Sequence, residues 1–598
     1  MNFELSPRWR RLEAAFLIAI GLVAAGIRLP LLSRAEALLT SDEAIVGLMA
    51  REITAGNLPV FFWGQRYMGS IESYVAAMLF GLAGDSAALL KSAPLLFFLL
   101  FLVAHYALTR ALTSPKVAVL SSLLLAAGPP VLVSWSVRAM AGYMETLLFG
   151  TVFLAAIHRY RRTGSKRSLF LAGIAAGLGW WTSQLVACYL SAGILWFLLE
   201  QRSTESGLQI GSILRRCAHP RDFSRLRQLG SWLLLRQLAG RLPNVLRYLL
   251  LPGNILAAVY AILGLLVLLT GGFDTTVAEV RVKATDGWKL VSYALSWSAI
   301  VAVVSAAIMV PARLGGIARR AAPALAGFLL GYLPALIHAL TVKVSSPPTH
   351  KFSLPMLLAE QIPAFFTRIL PLLAGGGLPD IEEEISLPVT LALLALLGLS
   401  LFPLLHDRVP RLPAMLCLTT MGLFLFSGIF VDYKSYRYLL PLYPAIAILA
   451  ASGLSRMRAG YACLIMVSTI GIWGAQDASN LTALRLEVPT SEIIGWMREK
   501  GIRAGYADYW IAYRLDYLSR CDPLLAPYRS QDRNPAYTAQ VRNARRVGYV
   551  FRAGDPEWPA FMRARADRIE ASTIAGRYRL YVISQPRVVE RRGQSVED

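Results

Sequence analysis

The chain has 598 residues, of which 56% are hydrophobic and only 16% charged, with a mean hydropathy of +0.50. That excludes a soluble enzyme with a single anchor and reads as a polytopic membrane protein. The formal net charge of +23 raises nucleic-acid binding. However, most Arg residues lie between apolar runs or in the tail, with no nucleic-acid fold signature, so the charge is assigned to cytoplasmic loops and anionic headgroups. Cys188, Cys217, Cys417, Cys463 and Cys521 have neither metal-ligand nor disulfide-framework spacing.

Apolar runs of about twenty residues mark the spans, and Lys and Arg orient them. Arg8, Arg10 and Arg11 keep the N-terminus cytoplasmic. The first run, near 12–32, is too long for a signal peptide and lacks a small-residue cleavage site, so it is an uncleaved span. An external loop, 33–84, follows, with surface helices predicted near 42–55 and 70–83 and a turn between them. Ser41 or Asp42 is the expected N-cap of the first, and Ile45, Leu48, Met49 and Ile53 give it an apolar face against the membrane.

Further spans are predicted near 87–108, 116–134 and 142–158, then a hairpin over 168–199. An Arg-rich cytoplasmic loop, 200–247, lies on the inner leaflet. Spans near 249–270, 289–311 and 322–342 lead to a second external loop, 343–385. Spans near 386–405 and 412–431, one entered after 432–438, and one near 460–476 complete about thirteen, which places the C-terminus outside. The membrane part is thus 1–476. Residues 477–598 change character: Pro489-Thr490-Ser491-Glu492 opens a helix, and Tyr578 to Ile583 alternates as a strand. They are read as a small external α/β domain.

Two adjacent carboxylates, Asp42 and Glu43, follow the first span. Such a pair is costly in hydrocarbon and belongs at a water-facing edge. It is either the polar start of a surface helix or a catalytic carboxylate at the mouth of a membrane cavity.

The stretch Asp42-Glu43, Ala50-Arg51-Glu52, Gly56, Pro59-Val60 and Gly64-Gln65-Arg66-Tyr67 resembles the GT-C superfamily of integral membrane glycosyltransferases. Within it, the chain looks closest to the group holding protein O-mannosyltransferases and the lipid A aminoarabinose transferase. Arg437-Tyr438-Leu439-Leu440-Pro441 is similar to that group's entry into a late span. The sequence departs from the aminoarabinose transferase at Met68-Gly69-Ser70-Ile71-Glu72, which offers no phosphate-binding Lys after Arg-Tyr. It also lacks the sugar-binding repeats of eukaryotic O-mannosyltransferases.

The resemblance implies transfer of a sugar from a polyprenyl-phosphate donor to a lipid, glycan or protein acceptor on the external, periplasmic face of a bacterial inner membrane. Asp42 is then the expected base for the acceptor hydroxyl. Glu43 is a supporting carboxylate or the structural partner of an Arg. Glu145 is a second external acid or the surface partner of Arg138. For the departing phosphate, Lys434 and Arg437 lead, ahead of Arg138, Arg66, Lys351 and His350. Tyr67, Trp63 and Tyr436 stack on sugar or belong to the interfacial aromatic belt. No metal or other cofactor is expected. A flippase is the rival reading, but the acids cluster at external ends and no repeat is visible. A scaffold working through its tail would leave Asp42 replaceable.

Overall fold

A computed structural model describes residues 7–205, 273–277, 280–284, 311–339, 354–377, 386–406, 410–426, 430, 433–483, 488–528 and 531–584. The N-terminal part runs α1 (Pro7–Leu32), α2 (Ser41–Thr54), β1 (Phe61–Phe62), β2 (Gln65–Gly69), α3 (Ile71–Ala83), α4 (Ala87–Leu112), α5 (Pro115–Ala127), α6 (Pro130–Trp135), α7 (Met144–Thr163), α8 (Lys166–Thr182) and α9 (Ala187–Glu205). A two-stranded hairpin, β3 (Phe273–Val277) and β4 (Val280–Ala284), and the helix α10 (Pro311–Ala339) come next. After the helical run 354–374 follow α11 (Leu387–Leu401), α12 (Arg411–Phe426), a 3₁₀ helix over Tyr433–Leu439, α13 (Leu442–Leu454) and α14 (Ala459–Ala483). Among the described residues, six helices are long and apolar enough to cross a membrane, and five shorter apolar helices accompany them.

The two helices expected after the first span are present within a residue of their predicted bounds. Their setting differs. The N-cap of α2 is Thr40, not Ser41 or Asp42. Thr40 is extended, with φ −96° and ψ 165°, and Glu43 stands three residues on, which makes a reciprocal capping box. Ala44 to Ala50 are all buried, so α2 has no lipid-facing stripe; protein covers it on every side. The turn between the helices is a β-hairpin, with Gly64 at φ +69° supplying the left-handed residue. The span predicted over 116–134 is broken at Gly128-Pro129-Pro130, which separates α5 from α6. The loop predicted over 343–385 contains the apolar helical run 354–374.

Charge inside the bundle is rare and paired with backbone. Arg28 of α1 is fully buried and donates to Ser136 Oγ at 2.5 Å and to the carbonyls of Ala24 and Ala126 at 2.8 Å. It thereby satisfies a free C-terminal carbonyl of α5 and ties α1, α5 and the end of α6 together. The largest core, around Phe98, Phe101, Trp135, Leu147 and Tyr189, joins these helices to α7, α9, α12 and α13.

Past α14, which continues beyond residue 476, the chain forms α15 (Thr490–Glu499), β5 (Ala504–Ala507), α16 (Tyr509–Ser519), β6 (Leu524–Pro527), α17 (Pro535–Arg542), β7 (Arg546–Arg552), α18 (Trp558–Arg565), β8 (Ile569–Ala575) and β9 (Tyr578–Ser584). The sheet order is β6-β5-β7-β9-β8, parallel across β6, β5 and β7 and antiparallel beyond. Two apolar cores, one on Ile493, Met497 and Leu515 and one on Val547, Phe551 and Phe561, lie about it.

The tightest helix contact is between α8 and α10. A Cβ added at Gly173 or Gly177 would strike the α10 backbone at Ala324 and Phe328, and one at Gly327 or Gly331 would strike the α8 backbone at Phe170 and Ile174. Four glycines spaced by four on facing helices thus let the two backbones touch. Gly177→Leu must push the helices apart and is expected to cost about 1–3 kcal/mol. Gly21→Leu, where nothing lies within 4 Å, should leave stability unchanged. Thermal unfolding of the detergent-purified protein distinguishes the two.

Candidate functional site

The first turn of α2 carries Asp42, which is half-buried. Its Oδ1 accepts a hydrogen bond from the hydroxyl of Tyr509, the first residue of α16. That helix presents Tyr509, Tyr513 and Tyr517 at spacings of four, all buried in one cluster with Ile45, Leu48 and Met49 of α2. A Cβ at Gly47 would meet the Tyr517 ring at 2.5 Å, so glycine here lets α16 seat. The far end of the contact is held by Arg51, which pairs with Asp85 at 2.7 Å and lies 4.1 Å from the Tyr517 ring centroid, while Tyr517 donates to Asp85 at 2.9 Å. Arg514 Nη2 donates to the carbonyls of Glu36 and Ala37 at 3.3 Å.

Arg533 closes the near end. Its Nε donates to Tyr509 Oη at 3.3 Å. With the Gln65 amide oriented to satisfy its partners, the Gln65 carbonyl accepts from Arg533 Nη1 and Nη2 at 3.0 and 2.9 Å and from Tyr67 Oη at 3.1 Å. A chain of polar contacts therefore runs Asp42, Tyr509, Arg533, Gln65, Tyr67. Burial, then the Asp42 charge, pushes the Tyr509 hydroxyl well above its usual value, so it remains a donor at neutral pH. The tyrosine stripe was visible in the sequence as Tyr-x3-Tyr-x3-Tyr. Its destination was not, because it packs on a helix more than 450 residues away.

Beside Asp42, Glu43 points inward. It is fully buried, forms an ion pair with buried Lys91 of α4, and accepts from Thr40 N and Oγ1 at 3.0 Å and from Ala139 N at 3.3 Å. Burial raises its pKa, but Lys91, then Arg138, with the hydrogen bonds, outweigh burial and hold the carboxyl below its usual value. Arg138 also lies 5.4 Å from the Trp135 ring centroid. Glu145, in the first turn of α7, is buried rather than at the surface. It is within electrostatic reach of Glu72, a buried carboxylate that the sequence reading passed over. Glu72 accepts from Ala141 N. Burial first, then Glu145, raises its pKa well above the ordinary range.

A second group gathers around the 3₁₀ helix Tyr433–Leu439. Arg437 Nη2 reaches Tyr438 Oη at 3.3 Å, with the guanidinium 5.2 Å from that ring centroid. Its Nε is buried with no hydrogen-bond partner among the described residues. Tyr67, whose hydroxyl burial pushes up, is within electrostatic reach of Arg533, Tyr438, Arg437 and Asp42. The structure thus brings Asp42, Tyr67 and Arg437 together, with Tyr509 and Arg533 from the C-terminal segment. Lys434 and Arg66 are exposed. His350 and Lys351 lie outside the described residues. Tyr436 is buried in the core, accepting from Trp135 Nε1 at 2.8 Å, and Trp63 packs edge-on against Tyr537 at 5.8 Å. The Tyr436 ring, buried in the core, offers no free face as a sugar platform would require. Among the described residues no group of three or more His, Cys, Asp and Glu could hold a metal ion.

Immediately after Arg437, Leu439, Leu442 and Tyr443 enter the wall of a groove of about 1010 Å³. Its lining from α5, the run 354–374, α11, α13 and α14 is almost wholly apolar, with Leu393, Ile446 and Trp473 among its walls.

Residues 71–213 match the family described as dolichyl-phosphate-mannose-protein mannosyltransferase. That match covers less than half of the chain. Comparison of the chain with curated proteins gives no match. Among solved structures it is similar to ArnT from Cupriavidus metallidurans in the apo state, with 12% identity over 96% of this chain and 97% of that one and a TM-score of 0.48. It is also similar to the archaeal oligosaccharyltransferase AglB from Archaeoglobus fulgidus in complex with an inhibitory peptide and a dolichol-phosphate, with 14% identity over 91% and 70% and a TM-score of 0.44. ArnT bound to undecaprenyl phosphate gives 14% identity over 97% and 98%, with a TM-score of 0.38.

Glu43→Gln would leave Lys91 buried without its counter-charge and is expected to destabilise the protein by about 3–5 kcal/mol. Because the folded-state pKa of Glu43 lies below the unfolded value, its contribution is present above the unfolded pKa. It is lost as pH falls through the folded one. The wild type should therefore lose its advantage over Glu43→Gln as pH falls below about 4. Unfolding midpoints of both proteins from pH 3 to pH 7 check this.

Proposed function

We propose that this protein is a membrane glycosyltransferase of the GT-C superfamily that moves a sugar from a polyprenyl-phosphate carrier to an acceptor on the external face of a bacterial inner membrane. In this reading the N-terminus is cytoplasmic, residues 1–476 form the membrane domain and residues 477–598 an external α/β domain. The observation that carries it is the almost wholly apolar groove whose wall takes in Leu439, two residues past Arg437 in the chain, together with the buried Arg437 Nε that has no hydrogen-bond partner among the described residues. An apolar groove with a cation two residues from its wall in the chain suits a molecule with an isoprenoid tail and a phosphate head.

The chemistry follows from that placement. Arg437 holds the phosphate of the donor and stabilises the charge that grows on it as the glycosidic oxygen leaves. Asp42, with Oδ1 engaged by Tyr509, offers Oδ2 to the acceptor. It takes the proton from the acceptor hydroxyl as that oxygen bonds to the anomeric carbon and the bond from this carbon to the phosphate oxygen breaks. The proton ends on Asp42 and the negative charge on the lipid phosphate. Tyr67 borders both groups. Glu43 serves α2 as a buried anchor, and Glu145 with Glu72 forms a neighbouring buried acid pair. Arg138 acts through Glu43. Lys434 and Arg66, being exposed, meet lipid headgroups or incoming substrate.

Purified protein supplied with a panel of polyprenyl-phosphate sugars should transfer sugar. Asp42→Asn should fold normally and lower kcat by about 10²–10⁴-fold. Arg437→Gln should chiefly raise the KM for the donor. Undiminished transfer by Asp42→Asn would remove it from the role of base. Movement of lipid-linked sugar across liposomes with no transfer would make the protein a flippase.

A further inference from the structure

The first and last long helices of the membrane part frame a site that sugar transfer does not use. α1 and α14 are both long and apolar enough to cross a membrane, with apolar stretches over Arg11–Leu32 and Ala459–Leu481. Each packs on α5 and α6, and a notch of about 920 Å³ lies among the four. Arg34 Nη1 donates to the Leu481 carbonyl at 2.7 Å and ties the end of α14 to the residues after α1. Ile27 and Leu31 of α1, Val133 of α6 and Ile470 of α14 give the notch apolar walls. Gly474 also lines it, and a Cβ there would meet nothing within 4 Å. The missing side chain leaves room for a slender apolar group.

Polar groups enter this lining at Ser134, Asp477 and Asn480. Asn480 is only 6% exposed. Gln476 Nε2 donates to its Oδ1 at 3.2 Å, while its Nδ2 is buried with no hydrogen-bond partner among the described residues. A buried donor of this kind is costly unless a ligand meets it. Asp477 is half-buried and makes no ion pair or hydrogen bond among the described residues. The buried Arg28 guanidinium is within its electrostatic reach, but Arg28 Nε and Nη1 are committed to Ser136, Ala24 and Ala126. An ionisable residue in a membrane helix calls for a partner. With Arg28 balancing Asp477 from a distance, the site is close to neutral. It offers a carboxylate to a cation and an amide donor to an oxygen, which suits a dipolar group better than an anion. Asp477 and Asn480 stand at the end of the apolar stretch of α14, with Gly474 and Ile470 about one and two turns earlier. The polar part of the notch therefore lies at headgroup depth and the apolar part deeper.

We propose that this notch binds a membrane phospholipid whose headgroup carries a primary ammonium, of the phosphatidylethanolamine kind. The ammonium donates to Asp477, a phosphate oxygen accepts from Asn480 Nδ2, and one acyl chain runs past Gly474 and Ile470. The lipid then fills the space between α1 and α14. The inference uses the reading of these two helices as spans and nothing of the transfer chemistry.

The test is lipid binding by the full-length protein, purified in detergent, washed free of lipid and titrated under native mass spectrometry. The probes are dioleoyl phosphatidylethanolamine, phosphatidylcholine and phosphatidylglycerol, and a polyprenyl phosphate. Phosphatidylethanolamine should bind about tenfold more tightly than the other three, because choline has no N–H to donate and the anionic lipids bring an unbalanced charge to Asp477. Asp477→Asn keeps the shape and should abolish that preference. Gly474→Leu fills open space in the notch and should weaken phosphatidylethanolamine binding about tenfold. Lipid-free melting curves of both variants should match wild type. Equal affinity for the four lipids, or either variant binding as wild type does, overturns the proposal. Tightest binding of the polyprenyl phosphate, lost in Gly474→Leu, would give the notch to a lipid-linked donor and also overturns it. The readout needs no sugar transfer, so the result stands apart from that reading.

Discussion

The Lys91–Glu43 ion pair is buried at both ends, and much of the candidate site hangs from it. Charges so placed are worth keeping only when every remaining lone pair and proton is also satisfied. Here Glu43 accepts from Thr40 and Ala139 as well as Lys91, and Lys91 also donates to the Leu38 carbonyl at 3.2 Å. One carboxylate therefore fastens the start of α2 to α4 and to the segment before α7. Asp42, one residue earlier, is carried to the open side with its backbone fixed. The adjacent acids differ in setting: one is a buried anchor, the other a half-buried carboxylate that accepts from Tyr509.

The same device sets what α16 can reach. Because α2 is rigid and apolar on its remaining faces, a stripe of three tyrosines can pack along it and bring one hydroxyl to the Asp42 carboxylate. Arg51 with Asp85 at one end and Arg533 with Gln65 at the other fix the register of that contact. The C-terminal segment is then part of the centre.

Much of the membrane part was legible in the sequence. Helical periodicity and the Asp-Glu pair located α2 and α3 within a residue, because local caps and apolar spacing decide those elements. What failed was information that depends on distant chain. The lipid-facing stripe assigned to α2 was wrong because α16 covers the helix, and nothing within 42–55 reports a partner at 509–519. Thr40 rather than its neighbours became the cap because the choice turns on which residue is extended, not on residue type alone. Glu72 went unremarked because a single acid in an apolar helix gives no sign of the Glu145 neighbour that raises its pKa. The apolar helical run 354–374 was hidden by Pro and charged residues, which weigh against a span in a hydropathy reading yet are accommodated in a helix packed among others. Arg437 stood out in the sequence as a cation at the foot of an apolar helix. That its Nε is buried with no hydrogen-bond partner among the described residues, and that Leu439 enters the wall of an apolar groove, required coordinates.

The central claim is that Tyr509 acts through Asp42. The measurement that tests it most directly is a double-mutant cycle on transfer kinetics with Tyr509→Phe and Asp42→Asn. The phenylalanine keeps the ring against α2 and removes only the hydroxyl. Loss of a hydrogen bond to a charged carboxylate corresponds to about 1.5–3 kcal/mol, or roughly a 10- to 150-fold fall in kcat. The account predicts that fall in the wild-type background and almost none once Asp42 is Asn, since the hydroxyl then has no reactive carboxylate to orient. Additive losses in the double mutant, or a Tyr509→Phe enzyme as fast as wild type, would contradict it.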